Sequence, residues 1–299
     1  MIHRPILAVA LAVSVLLCNS ALCQDLKSQA LEHFKNESYT EAIEALNLAL
    51  TQHPEDAQLW FYLGWFTHYY CYDSVPFAGF AKAVSDSILV YLKKALSLDP
   101  TLRDAYSFLG SEYGARALYE LQLKNVAGFL SELKLGGNAG SYPGWLLEYA
   151  RNILRSCGEN AILITGGDAE AFPIWYCQFV EEFRRDVTGV PFALLERPWF
   201  VLLLKNGVPG FFAPTQVPWS EQQITDMHPY KWKAQIVDIQ PPSSITDAVR
   251  FHIKPDLTSA DRELLSTHRA LLLDMIKVNR WQRPVQFTLG CPSLCYHGH

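Results

Sequence analysis

The sequence predicts a chain of two folded parts: helical hairpins in the N-terminal half, then a small three-layer α/β domain built on a parallel sheet. Three observations predict this fold class. Apolar residues recur at helical spacing up to about residue 134. A Gly-rich segment at residues 136–140 then interrupts the pattern. From Ala161 onwards, short β-branched runs alternate with helix-compatible segments, which is typical of parallel strands covered on both faces.

Residues 1–23 are predicted to be a secretory signal peptide rather than part of the fold. A weakly basic start is followed by an apolar run from Ile6 to Leu17 and then by small and polar residues. The run is too short to span a bilayer comfortably. We expect cleavage after Ala21 or Cys23, with an uncleaved anchor or acylation of Cys23 as alternatives. The mature chain is then exported, periplasmic or envelope-associated, without a transmembrane segment.

Composition and charge narrow the function classes. The 299 residues are 49% hydrophobic and 18% charged, as expected for a folded chain of one or two domains. The net charge of -5 provides no basic surface for nucleic acid, so we expect no nucleic-acid partner. Five cysteines follow the predicted signal, and an odd number leaves at least one unpaired within the chain or paired between chains.

The helical half carries an internal repeat. Trp60 follows Pro54 by six residues, and Tyr106 follows Pro100 by the same interval. Each of these aromatic residues lies in a segment with small residues at the positions where paired helices approach closely. Such equal spacing indicates hairpins of one repeating design. We therefore predict three helical hairpins within residues 24–140.

These features resemble the tetratricopeptide repeat family, with Trp60, Leu63 and Gly64 at the family's first-helix offsets. The first repeat lacks that signature, and the second contains an insertion of about a dozen residues around Cys71 to Ala83. In stacked helical hairpins the first helix of each pair lines a concave surface. The resemblance therefore implies a groove for a protein or peptide partner in the cell envelope.

Aromatic residues mark that groove. The first-helix offsets place four residues on it: Phe61, Trp65, His68 and Tyr69. The insertion adds four more aromatic residues: Tyr70, Tyr72, Phe77 and Phe80. Such a surface suits apolar peptide anchors or sugar rings. The alternative is that the insertion folds over these residues and buries them.

The second half, residues 141–299, is predicted to be a Rossmann-like α/β domain. A helix at residues 145–155 leads into it. We predict strands at Ile162–Ile164, Val187–Leu195, Ala234–Ile239 and Pro284–Leu289, three or four of them parallel. Helices are predicted at residues 173–185, at Trp199–Leu204, and at residues 259–279 with Ser259 as N-cap.

Three motifs of this half resemble the soluble C-terminal region of a bacterial family of membrane proteins related to protein O-mannosyltransferases. They are AILITGGDAEAFPIWYCQFVEEFRRDV, ALLERPWF and LLLDMIKVNRWQRPVQFT. Gly167, Asp168, Phe172, Pro173 and Trp175 match the family's first motif, whereas Ala169 and Ala171 replace its Asn and Thr. The family's transfer chemistry belongs to its membrane part. The resemblance therefore implies a shared accessory domain.

The acidic turn after the first strand is the candidate ligand site. Asp168 and Glu170 follow the carboxyl end of a predicted parallel strand, where open α/β sheets bind ligands, and Trp175 follows on the next helix. Two carboxylates suit a metal or acid–base chemistry. The alternative is that Asp168 caps the helix. No complete dinucleotide or P-loop pattern is present, so we expect no cofactor.

The rest of the sequence contains no recognised catalytic motif. The sequence lacks a G-x-S-x-G or H-E-x-x-H motif, so we predict no catalytic or metal-binding residue. The terminal CPSLCYHGH segment suggests a disulfide or free thiols, with metal binding as the alternative, and pairing of Cys157 with Cys177 stays open. The leading expectation is an exported, non-enzymatic scaffold. The alternative is a carbohydrate-binding protein or glycan-related enzyme with a pocket at the acidic turn.

Overall fold

The computed structural model describes residues 25–71, 81–209, 211, 213–240, 249–259 and 262–292. The predicted signal peptide lies outside these residues, as do Tyr72, Phe77, Phe80 and Cys295. The chain forms two compact units. One comprises the described residues up to Arg116 together with Asn138–Ser141. The other comprises Ala117–Gly137 and the described residues from Tyr142 onwards.

The N-terminal half is helical, as predicted. Its helices are α1 (residues 25–35), α2 (Tyr39–Gln52), α3 (Ala57–Tyr69), α4 (Lys82–Leu98), α5 (Arg103–Gln122) and α6 (Val126–Asn138). Helix α3 packs against both α2 and α4. At its start, the Asp56 side chain accepts hydrogen bonds from the backbone N–H groups of Gln58 and Leu59, which satisfies two of the helix's unpaired donors.

Small residues determine how closely these helices approach. A Cβ atom on Gly64 would lie 2.8 Å from Leu92 Cδ2, so a larger residue in α3 would have to displace the Leu92 side chain of α4. The predicted break at residues 136–140 starts too early, because Gly136 and Gly137 lie inside α6. A Cβ atom on Gly137 would lie 2.5 Å from the Tyr176 ring. This glycine therefore allows close packing rather than a turn, and the left-handed residue is Gly140 with φ 79°.

The second unit contains a small parallel sheet. Its described elements are α7 (Gly144–Ser156), β1 (Ile162–Thr165), α8 (Asp168–Phe179), β2 (Thr188–Pro191), a 3-10 helix (Phe192–Glu196), α9 (Pro198–Asn206), α10 (Glu221–Thr225), β3 (Tyr230–Lys231), β4 (Gln235–Ile239), β5 (Val249–Ile253), β6 (Leu257–Ser259), β7 (Arg262–Leu265), α11 (Thr267–Asn279) and β8 (Val285–Phe287). The parallel sheet has the order β2-β1-β8. Ile164 in β1 is in register with Val190 and Phe287.

Three predicted elements of this unit are wrong in detail. The strand at residues 235–239 is not parallel, because β4 pairs in antiparallel fashion with β5. Helix α11 begins at Thr267 with Ser266 as N-cap, because residues 257–265 form the antiparallel pair β6 and β7 instead. Helix α8 begins at Asp168 rather than at residue 173. In the second case, pairing between β6 and β7 overrides the local helical periodicity of residues 259–265.

The cores of the two units contain different residues. In the second unit, β1 is fully buried and α6 contributes Phe129 and Leu133 to the surrounding cluster. In the first unit, the apolar faces of α1, α2 and α3 form one cluster, and α3, α4 and α5 form another. None of the helices in the described part of the chain is long and apolar enough to cross a bilayer.

Candidate functional site

The acidic turn lies at the carboxyl end of β1, the central strand of the parallel sheet. Helix α8 begins there because the backbone N–H groups of Glu170 and Ala171 both donate to Gly167 O, at 3.0 and 3.1 Å. This first turn places the Glu170 side chain back over the end of the strand. The carboxylate then accepts hydrogen bonds from three other parts of the unit.

Glu170 is saturated with these bonds. Its Oε1 accepts from Tyr149 Oη at 3.0 Å and from the backbone N–H of Gly290 at 3.1 Å. Its Oε2 accepts from the backbone N–H of Gly166 at 3.2 Å and from the Thr288 hydroxyl. The carboxylate therefore connects α7, the end of β1 and the segment after β8. A carboxylate that accepts four hydrogen bonds acts as a structural clamp.

Two glycines allow the clamp to close. A Cβ atom on Gly166 would lie 2.3 Å from the carbonyl oxygen of Gly290, which is a backbone clash. A Cβ atom on Gly290 would lie 2.6 Å from Glu170 Oε2. At Gly166 the two strand ends approach too closely for any side chain, and a side chain at Gly290 would displace the Glu170 carboxylate. Gly166 thus has a packing cause, whereas a Cβ atom on Gly167 would meet nothing within 4 Å.

Asp168 occupies an exposed position at the first residue of α8, and Gly167 takes the N-cap position. The carboxylate of Asp168 lies at the positive end of the helix dipole, where a negative charge is favourable. Nearby, burial first and the charge of Asp168 second raise the pKa of Tyr142 well above its usual value. Asp168 and Glu170 thus both lie in the first turn of α8, whereas the sequence predicts a turn that precedes the helix.

Trp175, the third predicted ligand-binding residue, does not line the acidic turn. Its side chain is fully buried, and its Nε1 donates to the carbonyl oxygen of Gly189 in β2 at 3.2 Å. Its ring packs against Phe129 and Phe200, with ring centroids 5.7 and 6.2 Å away. Trp175 therefore belongs to the core of the unit, and the structure does not bring it to the surface of the acidic turn.

The predicted groove residues of the helical unit do come together. The Trp65 ring lies 5.7 Å from Phe61 and 6.3 Å from Tyr69, and the His68 ring lies 6.0 Å from Tyr69. Phe61 is buried, whereas the other three are partly exposed. Helix α5 adds Phe108, whose ring lies 5.7 Å from Trp65. We call Phe61, Trp65, His68, Tyr69 and Phe108 the aromatic cluster.

A buried carboxylate supports this cluster from below. Glu112 on α5 is fully buried, and its two oxygens contact His68 Nδ1 at 2.6 Å and the Ser85 hydroxyl at 2.7 Å. Burial, and then the charge of Glu112, raises the pKa of the Cys71 thiol. Sequence reasoning missed Glu112 and Phe108. Their only signal is the four-residue spacing that places both on one face of α5.

Trp65 has a further property. Among the residues that the structure describes, no acceptor contacts its buried indole Nε1. A buried donor without a partner costs about 1–3 kcal/mol, and five other buried side-chain polar atoms among the described residues share this property.

The described residues include no group of three His, Cys, Asp or Glu side chains arranged to hold a metal ion. Cys157 and Cys177 are both buried thiols and are not joined to each other. Cys157 Sγ contacts Ile153 O at 3.3 Å, and Cys177 Sγ contacts Leu147 O at 3.7 Å. The terminal Cys/His segment beyond residue 292 lies outside the described residues.

Comparison with known protein families gives a match to one region of the chain. The family TMEM260-associated domain 2 matches residues 146–228, which run from α7 to the residues after α10 and include the acidic turn. The matched range lies outside the helical N-terminal half and overlaps the first two motifs that suggested an accessory domain. No curated protein matches the chain.

Proposed function

We propose that this protein is an exported, non-enzymatic scaffold whose tetratricopeptide-like helices bind a protein or peptide partner in the cell envelope. The aromatic cluster is the observation that carries this proposal. Trp65, Tyr69 and Phe108 form a continuous, partly exposed aromatic surface on two first helices of the hairpins, α3 and α5. Rigid aromatic side chains lose little conformational entropy on binding and dominate the energetics of peptide recognition.

The expected ligand is an extended segment with apolar anchor residues. The cluster offers aromatic faces, and the Glu112 carboxylate beneath it is already bonded to His68 and Ser85. A charged anchor would therefore find no unused counter-charge at Glu112. Aromatic or large aliphatic anchors suit this surface better, because they gain area without the cost of desolvating a charge.

The second unit is best interpreted as an accessory domain. Its Glu170 carboxylate is engaged in four hydrogen bonds that hold strand ends together, and Trp175 is buried. A glycan-related enzyme at this turn would need those groups to face a ligand. The match to a TMEM260-associated domain over residues 146–228 agrees with the accessory role. The export part of the proposal rests on the predicted signal peptide, with its apolar run from Ile6 to Leu17.

A peptide-binding experiment tests the scaffold proposal. The full chain is expressed with its own N-terminus in a Gram-negative host, and the intact mass of the periplasmic protein reports signal removal. Peptides selected from a random display library are then titrated against wild type, Trp65→Ala and Tyr69→Ala. We expect apolar peptides to be selected and each substitution to weaken binding about tenfold or more.

Trp145→Ala is the matched control, because Trp145 is 72% exposed on α7 and lies outside the aromatic cluster. It should bind the selected peptides as wild type does. Thermal unfolding of each variant excludes loss of fold as the cause. Equal binding by wild type and Trp65→Ala, or equal losses in Trp65→Ala and Trp145→Ala, would refute the proposal.

A further inference from the structure

The second unit contains a cavity that neither the aromatic cluster nor the acidic turn explains. It has a volume of about 540 Å³ and lies between the end of α5, helix α9 and the start of α10. This volume falls within the range of small-molecule sites in proteins, about 300–1,000 Å³. Its floor is apolar and includes Leu121, Trp199 and Leu202. The Trp199 side chain is partly exposed.

The rim of the cavity carries one charge of each sign. Lys124 and Glu221 both line it, and both are exposed. Among the described residues, no ion pair or hydrogen bond is found for the side chain of Lys124 or of Glu221. Asn206 adds an amide that donates and accepts. The cavity thus combines an apolar floor with a cation, an anion and an amide at its mouth.

We propose that this cavity binds a zwitterionic compound with an apolar body, which is the chemistry of a free aromatic or large aliphatic α-amino acid. The apolar side chain lies on Trp199 and the leucines. The α-carboxylate pairs with Lys124, and the α-ammonium pairs with Glu221. A purely apolar ligand would leave both rim charges unused, and an anion or a cation alone would use one. The proposal is independent of peptide binding by the helical unit.

Calorimetric titration of the full chain tests the ligand class. The probes are L-phenylalanine, L-leucine, 3-phenylpropionate, 2-phenylethylamine and N-acetyl-L-phenylalaninamide. They provide both charges, one charge of either sign, or none. We expect the two amino acids to bind more tightly than the singly charged analogues, and the uncharged amide to bind most weakly. Equal affinity for the amide would indicate a site for a peptide side chain and would overturn the proposal, as would no binding at millimolar concentration.

Two conservative variants test the assigned roles. Lys124→Gln should weaken L-phenylalanine and 3-phenylpropionate about three- to fivefold and leave 2-phenylethylamine unchanged, as expected for an exposed ion pair. Glu221→Gln should weaken L-phenylalanine and 2-phenylethylamine and leave 3-phenylpropionate unchanged. Both residues are exposed, so neither variant is expected to unfold the protein. Lys134→Gln and Glu159→Gln, at exposed positions that do not line the cavity, are the matched controls. Identical effects of the rim and control variants would overturn the assignment.

Discussion

At the scale of the residue, Glu170 shows how one side chain joins segments that are distant in sequence. Its carboxylate contacts Tyr149, Gly166 and Gly290, which belong to three different segments of the second unit. The position of Glu170 next to a strand end can be predicted from sequence, because parallel strands end at one edge of a sheet. Its role in joining these segments cannot be predicted from sequence, because two of its hydrogen-bond donors, Thr288 and Gly290, lie about 120 residues further along the chain.

Glu170→Gln should destabilise the protein by about 2–3 kcal/mol, because an amide N–H₂ would face donors that now find a charged acceptor. Urea unfolding at neutral pH measures the effect as a lower midpoint with an unchanged slope. Asp168→Asn is the control in the same turn, and it should cost no more than about 1 kcal/mol, the contribution of an exposed charge at a helix N-terminus. Equal losses in the two variants would show that Glu170 is not a clamp.

Trp175 marks the limit of residue-level prediction. The sequence places it on the helix after the first strand, and the structure confirms that helix. Periodicity does not say which face of a helix turns inward when apolar residues occur on several faces. In α8, the buried set includes Phe172, Ile174 and Trp175, so this helix is buried over much of its surface.

At the scale of the element, Arg184 and Asp186 connect the end of α7 to the start of β2. The Arg184 guanidinium donates to the carbonyl oxygens of Leu154, Cys157 and Gly158, at 2.7, 3.1 and 2.9 Å. The last carbonyls of a helix lack partners within the helix, and this side chain supplies them. Asp186 accepts from both Nε and Nη2 of Arg184 at 2.8 Å and so orients the guanidinium.

This pair predicts a pH dependence. Its hydrogen bonds with Arg184 lower the pKa of Asp186 to about 2. Because the folded pKa lies below the unfolded value of about 3.9, the stabilisation is complete above about pH 4 and is lost as pH falls towards 2. The Asp186 side chain is 37% exposed, so solvent screening reduces the contribution to about 1 kcal/mol. Asp186→Asn should therefore be less stable than wild type at pH 7 and nearly equal to it near pH 2.

Urea unfolding of both proteins at several pH values measures this difference. Asp238→Asn serves as the control, because Asp238 also pairs with an arginine but lies on the two-stranded β4–β5 sheet. A wild-type advantage over Asp186→Asn that stays constant from pH 7 to acid would contradict the assignment. The loss would then come from packing or from the Asn160 backbone contact rather than from the charge.

Local elements were predictable where a segment's own pattern determines its structure. The β-branched run of β1 and the helix α9 follow from short-range periodicity. The pairs β4–β5 and β6–β7 depend on partners outside the segment, and residues 262–265 are equally compatible with a helix. Likewise, Gly136 and Gly137 suggest a turn by composition, whereas the close approach of Tyr176 to Gly137 places them inside α6.

At the scale of the whole molecule, the chain has two compact units with separate buried clusters. Leu46 is fully buried in the cluster formed by α1, α2 and α3. Leu271 is fully buried in the cluster that surrounds the parallel sheet. Domains with their own cores open in separate cooperative units, so local stability need not be uniform along the chain. A matched pair of leucine substitutions can test this division.

Leu46→Ala and Leu271→Ala should each cost about 2–5 kcal/mol, because each leaves a cavity in a packed core. Native-state hydrogen exchange shows which helices and strands lose protection in each variant. Leu46→Ala should accelerate amide exchange in α2 and α3 while β1 and β2 keep their wild-type protection, and Leu271→Ala should do the reverse. Acceleration of all four elements by either substitution would mean that the two cores open as one cooperative unit. The aromatic cluster and the cavity would then depend on the same free energy of unfolding. Binding by variants in either site would have to be compared at equal fractions of folded protein.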